Sequence, residues 1–354
     1  MTQIIQIDIE KIEDREEIKK LEGAARIIKS GGTVVFPTET VYGLGANGLD
    51  SASVKKIFEA KGRPSDNPMI LHISDMEMLS EIALKISTKA KMLIERFWPG
   101  PLTMVFEKSD KVPYEATGGL DTVAVRMPSH PAALKLISLS GLPIAAPSAN
   151  ISGRPSPTKS RHVVEDLDGK VDMILSGDDS KIGLESTVID LTEDNPVLLR
   201  PGSITVKELE EVLGEIKVDK SISRKVNPGE KVRSPGMKYR HYAPKGEMIL
   251  VKGDIERVIY TIKRILDDAV GKGVKAVALI PEEFSNMFEG VKALNMGSLN
   301  SPEEVMARLY SCLRECDEYG AEIIAAPYFQ NEEEFMAVNN RLSKAAGHNI
   351  IQAD

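Results

Sequence analysis

Several short segments carry side chains able to grip or polarise an anionic ligand. In KGRPSDNP (61–68), Lys61 and Arg63 lie two apart, and Pro64 and Pro68 stiffen the chain around Asn67. Arginine offers a planar fork for two phosphate or carboxylate oxygens, and lysine a compact charge. Cations favouring a helix C-terminus are the ordinary alternative for Lys61. His72, inside MILHIS, reads by default as a buried, hydrogen-bonded histidine. In LDTVAVRMP (120–128), Thr122 and Arg126 share a strand face by their i, i+4 spacing. An arginine in an apolar strand needs an anion, and a structural Asp or Glu, a ligand carboxylate and a phosphate all remain open.

PTETVYGLGA (37–46) holds Thr38, Glu39, Thr40 and two glycines. It reads as a loop where backbone approaches a ligand, or as an ordinary strand-to-helix turn. AAPSANISGRPSP (145–157) opens a strand into a small-residue loop with Ser148, Asn150, Arg154 and Ser156, and LESTVID and LLRPG add Ser186, Thr187 and Arg200. Ser148 lacks the elbow motif of a nucleophile, so it reads as a hydrogen-bonding group. No P-loop, G-x-S-x-G, H-E-x-x-H or C-x-x-C motif occurs. The two cysteines, Cys312 and Cys316, are spaced i, i+4, which excludes a disulfide framework. Jointly the segments describe a cationic, hydroxyl-lined cleft with no nucleophile, thiol or metal cage. That inventory suits positioning and charge stabilisation, as in attack on a phosphate of ATP carried with Mg²⁺.

Alternating helices and short strands must position these segments. Apolar residues at 18, 21, 25 and 28 predict an amphipathic helix over 14–30. Strands are expected at 33–36, 69–73, 102–106, 122–127, 143–146, 186–191 and 196–199. Helices are expected at 51–60, within 75–97, and at 130–140, 158–167 and 205–213. Residues 1–214 therefore read as one α/β domain on a large twisted sheet. After residue 246 the alternation restarts, with strands at 248–251, 275–280 and 321–326 and helices at 254–269 and from 332 to 347. A Ser301-Pro302-Glu303-Glu304 helix start completes a smaller Rossmann-like domain over 247–354. It has no G-x-G-x-x-G fingerprint for a dinucleotide.

Residues 215–246, rich in Pro and Gly, read as a linker. Charge separates it from its flanks: residues 1–219 hold 26 basic and 34 acidic side chains, and residues 246–354 hold 11 and 18. Residues 220–245 hold eight basic side chains and Glu230 as the one acid. A solvated tether would need no Met237, Tyr239, His241 and Tyr242, so docking onto something anionic is the preferred reading. At 354 residues the chain has room for two or three domains, and its net charge of −8 argues against a surface that coats nucleic acid. No apolar run reaches the roughly 18–20 residues that cross a bilayer, and the first 17 residues lack a signal layout. A cytoplasmic protein is expected, with no membrane partner.

GGTVVFPTETVYGLGA, KGRPSDNPMILHIS, FWPGPLTMV, LDTVAVRMP, APSANISGRPSPT and ESTVID together resemble the motif series of the YrdC-type L-threonylcarbamoyladenylate synthases. SPGMKYRHYAP before a small α/β domain resembles the longer, two-domain branch. The resemblance implies a YrdC-like mixed sheet with helices, followed by the Rossmann-like domain. It implies conversion of ATP, L-threonine and bicarbonate to threonylcarbamoyl-AMP and pyrophosphate. A separate tRNA threonylcarbamoyl transferase complex would then modify the adenosine beside the anticodon, with at most weak or indirect tRNA contact here. Carried over by motif, Thr40, His72, Arg126 and Ser186 would hold threonine, with its carboxylate on Arg126. Lys61, Arg63, Asn67, Thr122, Ser148, Ser156 and Arg200 would surround ATP. Lys61 and Arg63 would stabilise charge, Mg²⁺ would come with ATP, and Tyr239, Arg240 and His241 would lie over the cleft as part of a lid. The rival from another class is an RNA-binding module using the cleft and the basic linker. A second rival, a carbamoyl-phosphate-using carbamoyladenylate enzyme, matches over the first domain alone and should carry zinc-finger-like cysteines that this sequence lacks.

Overall fold

Eleven strands form the larger sheet of the computed structural model, which describes residues 1–222 and 242–353. They are β1 (Gln3–Gln6), β2 (Val34–Phe36), β3 (Gly43–Asn47), β4 (Ile70–His72), β5 (Leu102–Glu107), β6 (Thr122–Arg126), β7 (Ile144–Ala145), β8 (Met173–Ser176), β9 (Thr187–Asp190), β10 (Val197–Arg200) and β11 (Lys217–Val218). Their order is β1-β8-β2-β3-β7-β4-β6-β5-β9-β10-β11, with parallel and antiparallel pairs mixed. The described residues divide into two compact units. The first takes Met1–Ser152, Ser156–Lys181 and the described chain from Glu185 to Ile222; the second takes Gly153–Pro155, Ile182–Leu184 and the described chain from Tyr242.

In the first unit the expected N-terminal helix forms at Arg15–Lys29 and buries Leu21, Ala24, Ala25 and Ile28 on one face, as its apolar spacing requires. The segment 37–46 is not all loop. Its second half is β3, paired with β2 on one side and β7 on the other. Glycine has low strand propensity, so GLGAN reads as a turn in sequence. Here the absent side chain is what lets the strand fit. A Cβ on Gly45 would lie 2.7 Å from both Ile144 Cγ2 and Phe36 Cε1.

Strand β8 also went unforeseen, although Met173, Ile174 and Leu175 are buried. Nor is the whole of 215–246 a linker. Val197 and Leu198 of β10 pair in parallel with Lys217 and Val218 of β11, and Ile216 and Ile222 are buried on either side. Residues 223–241, where Tyr239, Arg240 and His241 fall, lie outside the described residues.

The second unit carries the smaller sheet, entirely parallel, with β12 (Glu247–Lys252), β13 (Ala276–Ile280), β14 (Lys292–Asn295), β15 (Ile323–Pro327) and β16 (Ile350–Gln352). Their order is β14-β13-β15-β12-β16. Strands β14 and β16 are short and sit at the two edges, and neither shows the apolar run of a buried parallel strand. The helix at Ile255–Gly271 packs Val258, Ile259, Ile262 and Leu266 against Val251, Ala276, Ala278 and Ile280. Ser301 caps the helix Pro302–Tyr319, accepting from the Glu304 amide at 3.3 Å. That helix buries Cys312 and Cys316 as free thiols, and burial pushes the Cys316 thiol well up. Both behave as small core residues.

Gly45 tests the packing that holds the 37–42 turn in place. Gly45→Ala should destabilise the first unit by about 1–3 kcal/mol, read as a fall in the urea midpoint at unchanged slope. An unaltered midpoint would show that β2, β3 and β7 are looser than their contacts indicate.

Candidate active site

One face of the larger sheet carries an apolar patch with a polar row beside it. Ile70, Val105, Ala124, Val188 and Leu199 cluster across β4, β5, β6, β9 and β10. Two residues further along the same face, the register sets His72 beside Arg126 and Arg126 beside Thr103. Thr103 Oγ1 shares a 2.7 Å hydrogen bond with Ser186 Oγ, which also accepts from Arg200 Nη2 at 3.1 Å. Arg200 Nε donates to the Ser186 carbonyl at 3.0 Å. His72, Arg126, Ser186 and Arg200 therefore belong to one row although they are 128 positions apart in sequence at the extremes. Gly202 lets the following chain cross directly against Ser186 and Thr187, where a Cβ would overlap the Thr187 amide.

Arg126 is 3% exposed and engaged from three directions. Nε donates to the Gly100 carbonyl at 3.1 Å, Nη1 to Thr40 Oγ1 at 2.8 Å, and Nη2 stands 2.6 Å from Glu39 Oε1 in an ion pair. The anion demanded by a buried arginine is thus already present as Glu39. Of the anions the sequence leaves open for this arginine, the structural carboxylate is the one present, and a ligand is not required to answer the cost of its burial. Opposing burial, the Arg126 charge and the Ser129 amide hold the Glu39 carboxyl below the ordinary carboxylate range, so it is ionised. Thr38 fixes the turn by donating to the Val41 carbonyl at 2.6 Å and by a 2.9 Å bond to Thr40 Oγ1.

The second group lies around the helix Ser51–Lys61. Lys61 is its last residue, but its amine is directed at chain 148–150, donating to the carbonyls of Ser148 at 2.5 Å and Asn150 at 2.6 Å. Ser148 Oγ donates to Asn150 Oδ1 at 2.6 Å, so amine, hydroxyl and amide form one cluster. Gly62 in the left-handed conformation turns the chain, and Arg63 Nη2 then donates to the carbonyls of Asn67 and Pro68 at 3.2 and 3.0 Å. The Asn67 side-chain amide is fully buried, and neither end has a hydrogen-bond partner among the described residues. Ser156 Oγ donates to Glu185 Oε1 at 2.6 Å. Thr122 stands apart from the polar row. It opens β6 opposite Glu107, four residues or about 13 Å of strand from Arg126.

Sequence reasoning passed over two members of this arrangement. In sequence Glu39 reads only as one polar group of a loop, and nothing in a motif singles out Thr103. A lone threonine within the apolar run LTMVF, fully buried, was the available signal.

Two family models match the chain: one described as Telomere recombination, for Sua5, YciO and YrdC, at residues 26–202, and one described as Threonylcarbamoyl-AMP synthase, C-terminal domain, at residues 204–347. The chain is 49% identical over 341 residues to a threonylcarbamoyl-AMP synthase of Pyrococcus abyssi, covering 96% of this chain and 98% of that one. The chain belongs to the threonylcarbamoyl-AMP synthase family. The family's Bacillus subtilis member is 47% identical, with 93% of each chain covered. Among solved structures, P. abyssi Sua5 complexed with L-threonine superposes with a TM-score of 0.92 at 47% identity, with both chains fully covered.

Burial and the neighbouring Arg126 charge push the His72 imidazole down to about 3, so it is neutral, while its unfolded counterpart titrates near 6.5. As pH falls through that window the unfolded chain takes up the proton first, and stability must drop. The slope from this residue is at most about 1.4 kcal/mol per pH unit. His72→Gln should flatten the fall of the urea midpoint between roughly pH 6.5 and 4. An identical pH profile would show that the folded ring is protonated after all.

Proposed function

We propose that this chain condenses L-threonine, bicarbonate and ATP into threonylcarbamoyl-AMP with release of pyrophosphate. The observation that carries the reading is the buried row of His72, Arg126, Thr103 and Ser186 with Thr40 beside it. It occurs in a chain 49% identical to a threonylcarbamoyl-AMP synthase. P. abyssi Sua5, of the same fold, has been crystallised with L-threonine. Here the threonine carboxylate is assigned to Arg126, and Thr40, His72 and Ser186 to the rest of the amino acid. A neutral His72 can donate or accept one hydrogen bond without adding charge.

The substrate supplies the nucleophile. The neutral threonine amine adds to the carbon of bicarbonate, water is lost, and a carbamate forms. A carbamate oxygen then attacks the α-phosphorus of ATP as the bond to the β-phosphate oxygen breaks, and pyrophosphate leaves with that electron pair. The protein's part is to align the reactants and oppose the charge that develops. Arg63, Asn67, Ser148, Ser156 and Arg200 are assigned to ATP, along with Thr122, Tyr239, Arg240 and His241.

The Lys61 contacts favour a division of labour. Lys61 sets the 148–150 chain that carries Ser148, and Arg63 is assigned the charge that faces the phosphates. Among the described residues no three His, Cys, Asp or Glu side chains gather as a metal cage. A Mg²⁺ ion is assigned to the triphosphate, held by its oxygens and water. The product would pass to a tRNA threonylcarbamoyl transferase complex. Among the described residues no helix is long and apolar enough to cross a membrane.

Pyrophosphate release should require all three substrates and no RNA. Arg63→Ala should slow it about 10²-fold, or about 3 kcal/mol of transition-state stabilisation. Near-normal release by that variant would remove Arg63 from the chemistry. No release by the unaltered protein, with salt-dependent RNA binding instead, would replace the enzyme by an RNA-binding module.

A further inference from the structure

We propose that Glu39 is a positioning residue for the amino-acid substrate, acting through Arg126. The proposal rests on the assignment of the threonine carboxylate to Arg126. The Glu39 carboxylate does two things at once. Its Oε1 holds the Arg126 fork through Nη2 at 2.6 Å and accepts from the Ser129 amide at 3.0 Å. Ser129 lies three residues beyond Arg126 on the chain leaving β6. One side chain thus pins both the guanidinium and the backbone that carries it to the 38–41 turn. The same turn supplies Thr40, whose hydroxyl takes Nη1, while Gly100 takes Nε. Hydrogen bonds from Nε and Nη1 fix the guanidinium plane and the ion pair holds Nη2, so little ordering remains to be done on binding.

A counter-ion serving the fold alone could be simpler. Glu39 is 8% exposed, and its second oxygen, Oε2, is buried with no hydrogen-bond partner among the described residues. An ionised carboxylate left half satisfied in that position costs stability, the pattern of a group kept for what it does to its partner. Charge follows the same logic. Glu39 and Arg126 cancel, so the pair offers a directed fork with no net charge of its own. That suits a zwitterionic amino acid, whose ammonium an unpaired arginine would repel.

The test compares Glu39→Ala, Glu39→Gln, Arg126→Gln and the double variant Glu39→Ala/Arg126→Gln. Pyrophosphate release gives KM for threonine and for ATP separately, and calorimetry gives threonine affinity directly. Glu39→Ala should raise the threonine KM about tenfold or more while leaving that for ATP within about twofold. Glu39→Gln, which keeps the shape and one acceptor, should recover part of the loss. In the Arg126→Gln background, removing Glu39 should add nothing, because the two act as one unit.

Tighter threonine binding by Glu39→Ala would mean that the carboxylate competes for Arg126, and would overturn the proposal. Equal rises in both KM values, or additive losses in the double variant, would do the same. Should Glu39→Ala fail to fold by circular dichroism, Glu39→Gln decides, and an unchanged threonine affinity there refutes the role. If the unaltered protein binds threonine yet releases no pyrophosphate, the proposed reaction fails while the Glu39 comparison is still read by calorimetry.

Discussion

A guanidinium carried into the face of a mixed sheet must be compensated on every side, and the candidate site is organised around that demand. Arg126 sits where β4, β5 and β6 run together, in register with His72 and Thr103. Burying its charge would cost several kcal/mol without an anion and hydrogen-bond acceptors. Glu39 supplies the anion, and Thr40 and Gly100 supply the acceptors. Each brings a constraint with it. The 38–41 turn has to be rigid, so Thr38 ties it internally. The strand after it has to pass close by Phe36 and Ile144, so the positions that face them, Gly43 and Gly45, are glycines. The apolar patch of Ile70, Val105 and Ala124 sits beside the polar row and gives the strands their buried contact.

A second feature follows the same rule at lower cost. Lys61 is as buried as Arg126, but its amine is held by backbone carbonyls of 148–150 and the Asn150 side chain. The lysine that sequence offers as a compact charge for a phosphate, or as a cation at a helix end, thus also ties down the loop that carries Ser148. Arg63, two residues on and past the left-handed Gly62, keeps part of its fork on Asn67 and Pro68. Residue type alone could not separate these two roles, because both depend on where the helix Ser51–Lys61 ends.

Much of this was legible from the amino-acid sequence. The helix at Arg15–Lys29 follows from its apolar spacing, and the capped start at Ser301 from its motif. The demand that Arg126 find an anion was likewise evident from one arginine in an apolar strand. Which anion answers was not, because Glu39 is 87 positions away and meets Arg126 only through the pairing of β2, β3, β7, β4 and β6. Strand β3 was hidden because glycine carries no strand signal. Strands β14 and β16 were hidden because short edge strands lack alternation. Thr122 illustrates the limit of spacing arguments: sharing a strand face with Arg126 still leaves it at the other end of the strand.

The central claim is that the preset Arg126 fork receives the carboxylate of the amino acid. A crystal structure of this chain grown with L-threonine tests it most directly. The expected result is a threonine carboxylate within about 3 Å of the Arg126 guanidinium, with the Glu39 contact kept. A carboxylate bound elsewhere, or an Arg126 that leaves Glu39 to reach it, would contradict it.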